Sequence, residues 1–130
     1  MGRGRGPIGP GRGGLLREGG STVGVLGAGS FGTALAVHVS GLGLPTRLWA
    51  RRQTTAEELA RSRRNERYLD GVDLPMDLEI TADLESLSQC NPVIVAVPSH
   101  GFRDIVRQFF ARIPAGESRI LVSATKGIEI

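Results

Sequence analysis

One cysteine, one lysine and six aromatic side chains in 130 residues are too few for several classes of protein. The lone Cys90 cannot close an internal disulfide, and no Cys or His stands near it at metal-ligand spacing, so neither a disulfide scaffold nor a structural zinc site is on offer. Apolar runs such as residues 93–97 (VIVAV) extend over a few positions, far below the roughly 18 that suggest a membrane span. No leading apolar stretch of signal-peptide type is present, and the expectation is a reducing, cytoplasmic compartment. The length fits one domain, since about 100–200 residues per domain is usual, and a chain of this size buries about two-thirds of its unfolded surface.

Lysine is scarce but arginine is not, and the sequence pI is about 10.0. The excess is confined to one end. Residues 1–21 hold Arg3, Arg5, Arg12 and Arg17 against Glu18, whereas the remaining 109 residues carry 12 basic and 12 acidic side chains. That first stretch also holds nine of the 19 glycines and two prolines, and it shows no apolar periodicity. Burial there cannot repay the entropy of ordering, so residues 1–21 are expected to form a disordered Gly/Arg-rich tail. Its charge suits RNA or anionic surfaces, but it has no aromatic side chain on which a base could stack, and nucleic acid is not the expected partner.

From Thr22 the pattern alternates short apolar runs with helical segments, the signature of an α/β fold. Residues 22–26 (TVGVL) read as a strand and 30–42 (SFGTALAVHVSGL) as a helix with Leu35, Val39 and Leu42 on one face. Residues 47–50 (RLWA) read as a second strand. Residues 54–64 (TTAEELARSRR) follow as a polar helix with Thr54 available as a cap and acids in the first turn. A short strand near 78–81 and a brief helix at 83–88 precede the buried strand at 93–97. Ser99 then offers a cap for a helix whose apolar face holds Phe102, Ile105, Val106, Phe109, Phe110 and Ile113, and 120–124 (ILVSA) is the last strand. Continuous rather than alternating apolar strands indicate burial on both faces. The fold expected over residues 22–130 is therefore a doubly wound, mostly parallel sheet with helices on both faces.

The first strand runs directly into Gly27-Ala28-Gly29-Ser30-Phe31-Gly32, a GxGxxG opening a helix at the start of a βαβ unit. In that context the glycines have separate tasks: Gly27 for a tight turn, Gly29 for close approach of a pyrophosphate, Gly32 for close helix packing. Free amides and the helix dipole hold the anion. Proteins that bind NAD usually place an acid about 20 residues farther on, to accept from the ribose 2′-OH. Arg51 and Arg52 stand there instead, and paired guanidiniums suit a 2′-phosphate, which makes NADP(H) the preferred cofactor and leaves NAD(H) possible. The same pair also fits a solvated basic cluster joined to Arg61, Arg63 and Arg64. Parallel strands put all their carboxyl ends on one edge, so GAGSFG, Arg51-Arg52, Pro98-Ser99-His100 and Thr125-Lys126-Gly127 should converge. Lys126 at that edge is equally a ligand for phosphate or carbonyl and a solvated strand-end lysine.

In this order and at these intervals, VGVLGAGSFGTALA, NERYLDGVDLP, VAVPSHGFR and SATKGIE resemble the amino-terminal half of the bacterial NAD(P)-dependent glycerol-3-phosphate dehydrogenases. The resemblance runs from Thr22 to Ile130. It implies reversible hydride transfer between sn-glycerol 3-phosphate and NAD(P), giving dihydroxyacetone phosphate on the way to glycerophospholipids. By the same resemblance Ser30, Phe31, Arg51 and Arg52 contact the cofactor, Lys126 touches cofactor and substrate, and Pro98 borders the nicotinamide. Asp70 departs from the family's RYLP pattern, where a proline is usual. A helical carboxyl-terminal domain of the family supplies the general acid/base lysine and most substrate-phosphate contacts. No catalytic residue is therefore assigned within these 130 residues, the chain is expected to be inactive alone, and a homo-oligomer is expected only with that domain. The alternative is a non-catalytic NADP(H)-binding module. His100 reads as a turn or capping residue, His38 as a core or edge residue of its helix, and Trp49, Phe102, Phe109 and Phe110 as core.

Overall fold

A computed structural model describes residues 21–124. The Arg/Gly segment up to residue 20 and the TKG motif with Lys126 lie outside the described residues.

Val23–Leu26 forms β1, with all four residues buried, and runs into α1 (Ser30–Gly41). There follow β2 (Thr46–Trp49), α2 (Gln53–Ser62), the short strands β3 (Arg64–Asn65) and β4 (Leu69–Asp73), β5 (Glu79–Thr81) and a 3-10 helix at Leu84–Gln89. β6 (Val93–Val95), α3 (Ser99–Phe110) and β7 (Leu121–Ser123) complete the described fold. Five strands make one sheet in the order β5-β2-β1-β6-β7, and every pairing in it is parallel. The order steps outward from β1 in both directions, which is the doubly wound arrangement the apolar runs predict.

Successive side chains along a strand face opposite sides, and here the alternation sorts two cores. Val25 and Leu48 face one side, where they meet Ala36 of α1 and Leu59 of α2 together with Leu74 and Leu78. Leu26, Trp49, Val93 and Val95 face the other, against Leu84 and Leu87 of the 3-10 helix and Ile105 and Phe109 of α3. Trp49 is anchored there by an indole N–H that donates to the Ala82 carbonyl at 3.0 Å.

Several local expectations are corrected. The buried side of α1 is Gly32, Thr33, Ala36 and Ser40, whereas Leu35 and Val39 are half-buried and Leu42 is 65% exposed. A helix lying this close to its sheet leaves room only for small side chains beneath it, so the larger apolar ones spread to its flanks. α2 starts at Gln53 after Arg52, with no side-chain cap; Thr54 is already inside the helix and no acid lies in its first turn. α3 likewise starts at Ser99 itself, and Pro98 occupies the cap position. Phe109 is fully buried but Phe110 is 48% exposed, because consecutive helical positions point about 100° apart.

The β3–β4 hairpin was not expected. It is antiparallel, irregular at Arg64/Asn65, and too short for its two strands to show an apolar period. Arg63 links it to α2: its backbone is left-handed at φ 58°, and its guanidinium donates to the carbonyls of Pro75 at 2.9 Å and Leu78 at 2.7 Å. The brief helix foreseen near 83–88 is present as the 3-10 helix, capped by Asp83, whose carboxylate accepts from the Glu85 N–H at 3.0 Å.

Candidate functional site

The carboxyl ends of β1, β2 and β6 open on a cleft of about 1140 Å³. Gly27, Ala28, Gly29, Ser30 and Phe31 line it, as do Arg51 and Arg52, Pro98 and His100, and Ala124, the last described residue. Three of the four segments expected at this edge are thus together, and the fourth begins where the description stops.

Gly27 has φ 117°, and a Cβ there would stand 2.6 Å from the Ala96 carbonyl oxygen. Only glycine fits that combination of handedness and approach. A Cβ on Gly32 would collide with the Gly27 carbonyl oxygen, so the first turn of α1 rests directly on the loop. Gly29 differs: a Cβ there meets nothing within 4 Å, and the space beside it is open. Among the described residues no acceptor takes the amides of Gly29, Ser30 or Phe31, and the first bond of the turn runs from the Thr33 N–H to the Gly29 carbonyl at 2.9 Å. Unsatisfied amides at a helix start beside an unfilled space form an anion cradle. Ser30 and Phe31 are exposed at its lip.

Arg51 and Arg52, just past β2, are both exposed, and among the described residues neither has a carboxylate partner. Their basic neighbours are engaged. Arg61 pairs with Glu58 at 2.7 Å, Arg64 stands 3.6 Å from both Glu66 and Asp73, and Arg63 is bonded to carbonyls. Of these five arginines, Arg51 and Arg52 are the two without such a partner among the described residues, and both line the cleft. The chemistry of this donor set suits a dinucleotide, with amides for a diphosphate and guanidiniums for a further phosphate.

Residues 58–68 also reach the cleft, through Glu58, Asn65, Arg67 and Tyr68. The Arg67 guanidinium lies 5.4 Å from the Tyr68 ring centroid. Sequence spacing did not mark these residues as site-forming; the only signal was the NERYL string within the family resemblance. Cys90 lies outside the cleft, next to Gly24 under the amino ends of the strands. Burial pushes its thiol up, opposed in part by the charge of Arg47, whose Nη1 is 3.9 Å from Sγ.

Comparison with known proteins agrees with this geometry. Residues 22–130 match the family model described as NAD-dependent glycerol-3-phosphate dehydrogenase N-terminus. The chain is 43% identical over 108 residues to a glycerol-3-phosphate dehydrogenase [NAD(P)+] of Thermoanaerobacter sp. (strain X514), an alignment covering 82% of this chain and 32% of the relative. It is 44% identical over 108 residues to the protein of the same name in Teredinibacter turnerae, covering 82% of this chain and 31% of that one. The crystal structure of a glycerol-3-phosphate dehydrogenase from Coxiella burnetii superimposes with a TM-score of 0.74 at 30% identity, again over 82% of this chain and 32% of the other. The chain thus spans about a third of the length of the relatives it matches. By its match over residues 22–130, the chain belongs to the family of the NAD-dependent glycerol-3-phosphate dehydrogenase N-terminus.

Proposed function

We propose that this chain is the cofactor-binding part of an oxidoreductase that moves a hydride between sn-glycerol 3-phosphate and NADP(H), with dihydroxyacetone phosphate as the oxidised product. The observation that carries the reading is the coexistence, in one cleft, of an open amide cradle at Gly29 and two unpaired guanidiniums at Arg51 and Arg52. The amides at Gly29, Ser30 and Phe31 hold the diphosphate and the arginine pair holds the 2′-phosphate. Pro98 and its neighbours at the end of β6 border the nicotinamide. When bound, the nicotinamide supplies or accepts the hydride. Lys126, at the sequence position just beyond β7, contacts cofactor and substrate. The proton that must accompany the hydride is assigned to the portion of the relatives that this chain does not span.

The test is cofactor discrimination. Hydrogen bonds to charged groups contribute about 1.5–3 kcal/mol, and solvent screening of this exposed pair keeps its joint contribution in that range, so replacing Arg51 and Arg52 together by Ala should weaken NADPH roughly tenfold to a hundredfold while NADH is nearly unaffected. Equal losses for both cofactors in a fluorescence titration would remove the 2′-phosphate assignment.

A further inference from the structure

Behind the glycine loop lies a side chain that none of the assignments so far uses. Asn65 in β3 is 5% exposed, and its Nδ2 donates to the Ala28 carbonyl at 3.0 Å and to Thr33 Oγ1 at 2.7 Å. The Thr33 hydroxyl donates to the same Ala28 carbonyl at 3.2 Å. A carbonyl only accepts, so the nitrogen end of the Asn65 amide must face it. One carbonyl inside the GAGSFG loop is thereby held by two donors, one of them 37 positions away in sequence.

The peptide between Ala28 and Gly29 is planar and trans, so its C=O and N–H point in opposite directions. Fixing the Ala28 carbonyl toward Asn65 and Thr33 fixes the Gly29 N–H away from them, and among the described residues that N–H meets no acceptor. Were that peptide to flip, its carbonyl oxygen would face the anion in place of the amide. We propose that Asn65 is a positioning residue for this loop: by holding the Ala28 carbonyl it keeps the Gly29 amide aimed at the cofactor diphosphate. The proposal rests on the reading of the cleft as a dinucleotide site. It gives the β3–β4 hairpin a task, that of carrying a buried amide to the glycine loop.

The experiment measures NADPH and adenosine 2′-monophosphate side by side, by calorimetry on the full chain. The second ligand keeps the 2′-phosphate and lacks the diphosphate. Asn65→Leu, similar in size and without a donor, should bind NADPH about tenfold more weakly and adenosine 2′-monophosphate as the parent does. A merely structural role would lower both affinities together with the melting temperature, and that result overturns the proposal. Thr33→Val, an isosteric change that removes one of the two donors, should weaken NADPH in the same selective manner and decides the matter if Asn65→Leu does not fold. Unchanged NADPH affinity in a folded variant also overturns it. If the parent chain binds adenosine 2′-monophosphate but no NADPH, or neither, the dinucleotide reading itself fails and the proposal falls with it. Parent binding of NADPH with no selective loss in the variants fails the proposal alone.

Discussion

Gly29 and Gly32 are three positions apart and meet opposite surroundings, which separates stability from binding. A Cβ on Gly32 runs into loop backbone that cannot swing aside, whereas one on Gly29 enters open space at an ordinary φ of −77°. Gly32→Ala should therefore cost about 1–3 kcal/mol, the usual range for overpacking a close contact, as measured by urea unfolding. Gly29→Ala should leave stability within about 0.5 kcal/mol and reduce NADPH binding, because its methyl group occupies the place the diphosphate needs. The reverse pattern, a stable Gly32→Ala and an unfolded Gly29→Ala, would contradict the roles given to the loop. Gly27 and Gly32 were legible in the spacing because each answers a backbone constraint that acts over a few residues. Asn65 was not: its partners lie 37 and 32 positions away, and no local period reports such a contact.

At the scale of elements, β1, β2 and β6 could be read from the sequence because burial on both faces leaves unbroken apolar runs, while the edge strands β5 and β7 are partly exposed. Where reading failed, the cause was close approach. The spacing of Leu35, Val39 and Leu42 marks a helical period, yet the face that meets β1 and β2 is built of Gly32, Thr33, Ala36 and Ser40. Apolar periodicity identifies the buried side of a helix only when its neighbour stands far enough off to admit large side chains. Ala36 is fully buried and Leu42 largely exposed, so substitutions should be tolerated in the order opposite to their hydrophobicity. Ala36→Leu should destabilise by about 1–3 kcal/mol through overpacking, and Leu42→Gln by less than about 0.5 kcal/mol. Comparable losses in thermal unfolding would mean that α1 presents its larger side chains to the sheet after all. The β3–β4 hairpin escaped for a different reason: two- and five-residue strands carry too few positions for alternation to be seen, and Arg63 turns the chain into it at a positive φ that favours glycine.

For the whole molecule, the division of labour follows from the length it shares with its relatives, about a third of each. Besides amides and guanidiniums, the described cleft is lined by Glu58, Glu66, Tyr68 and His100, and the reading proposed above assigns the acid/base step to none of them. Binding and turnover should therefore separate. The purified 130-residue chain should bind NADPH and show no reduction of dihydroxyacetone phosphate, and removal of residues 1–21 should change neither its melting temperature nor its affinity, since the sequence of that segment is dominated by Gly and Arg and offers little apolar surface to bury. A protein extended by the portion its relatives possess should turn over, and Lys126→Ala should then remove most of the activity, because an electrostatic contact made chiefly in the transition state contributes a few kcal/mol, ~3 kcal/mol for a single donor. Measurable reduction by the 130-residue chain alone would overturn this division. The acid would then have to lie within it, and His100, exposed on the cleft wall at the start of α3, is the first side chain whose replacement should abolish that activity.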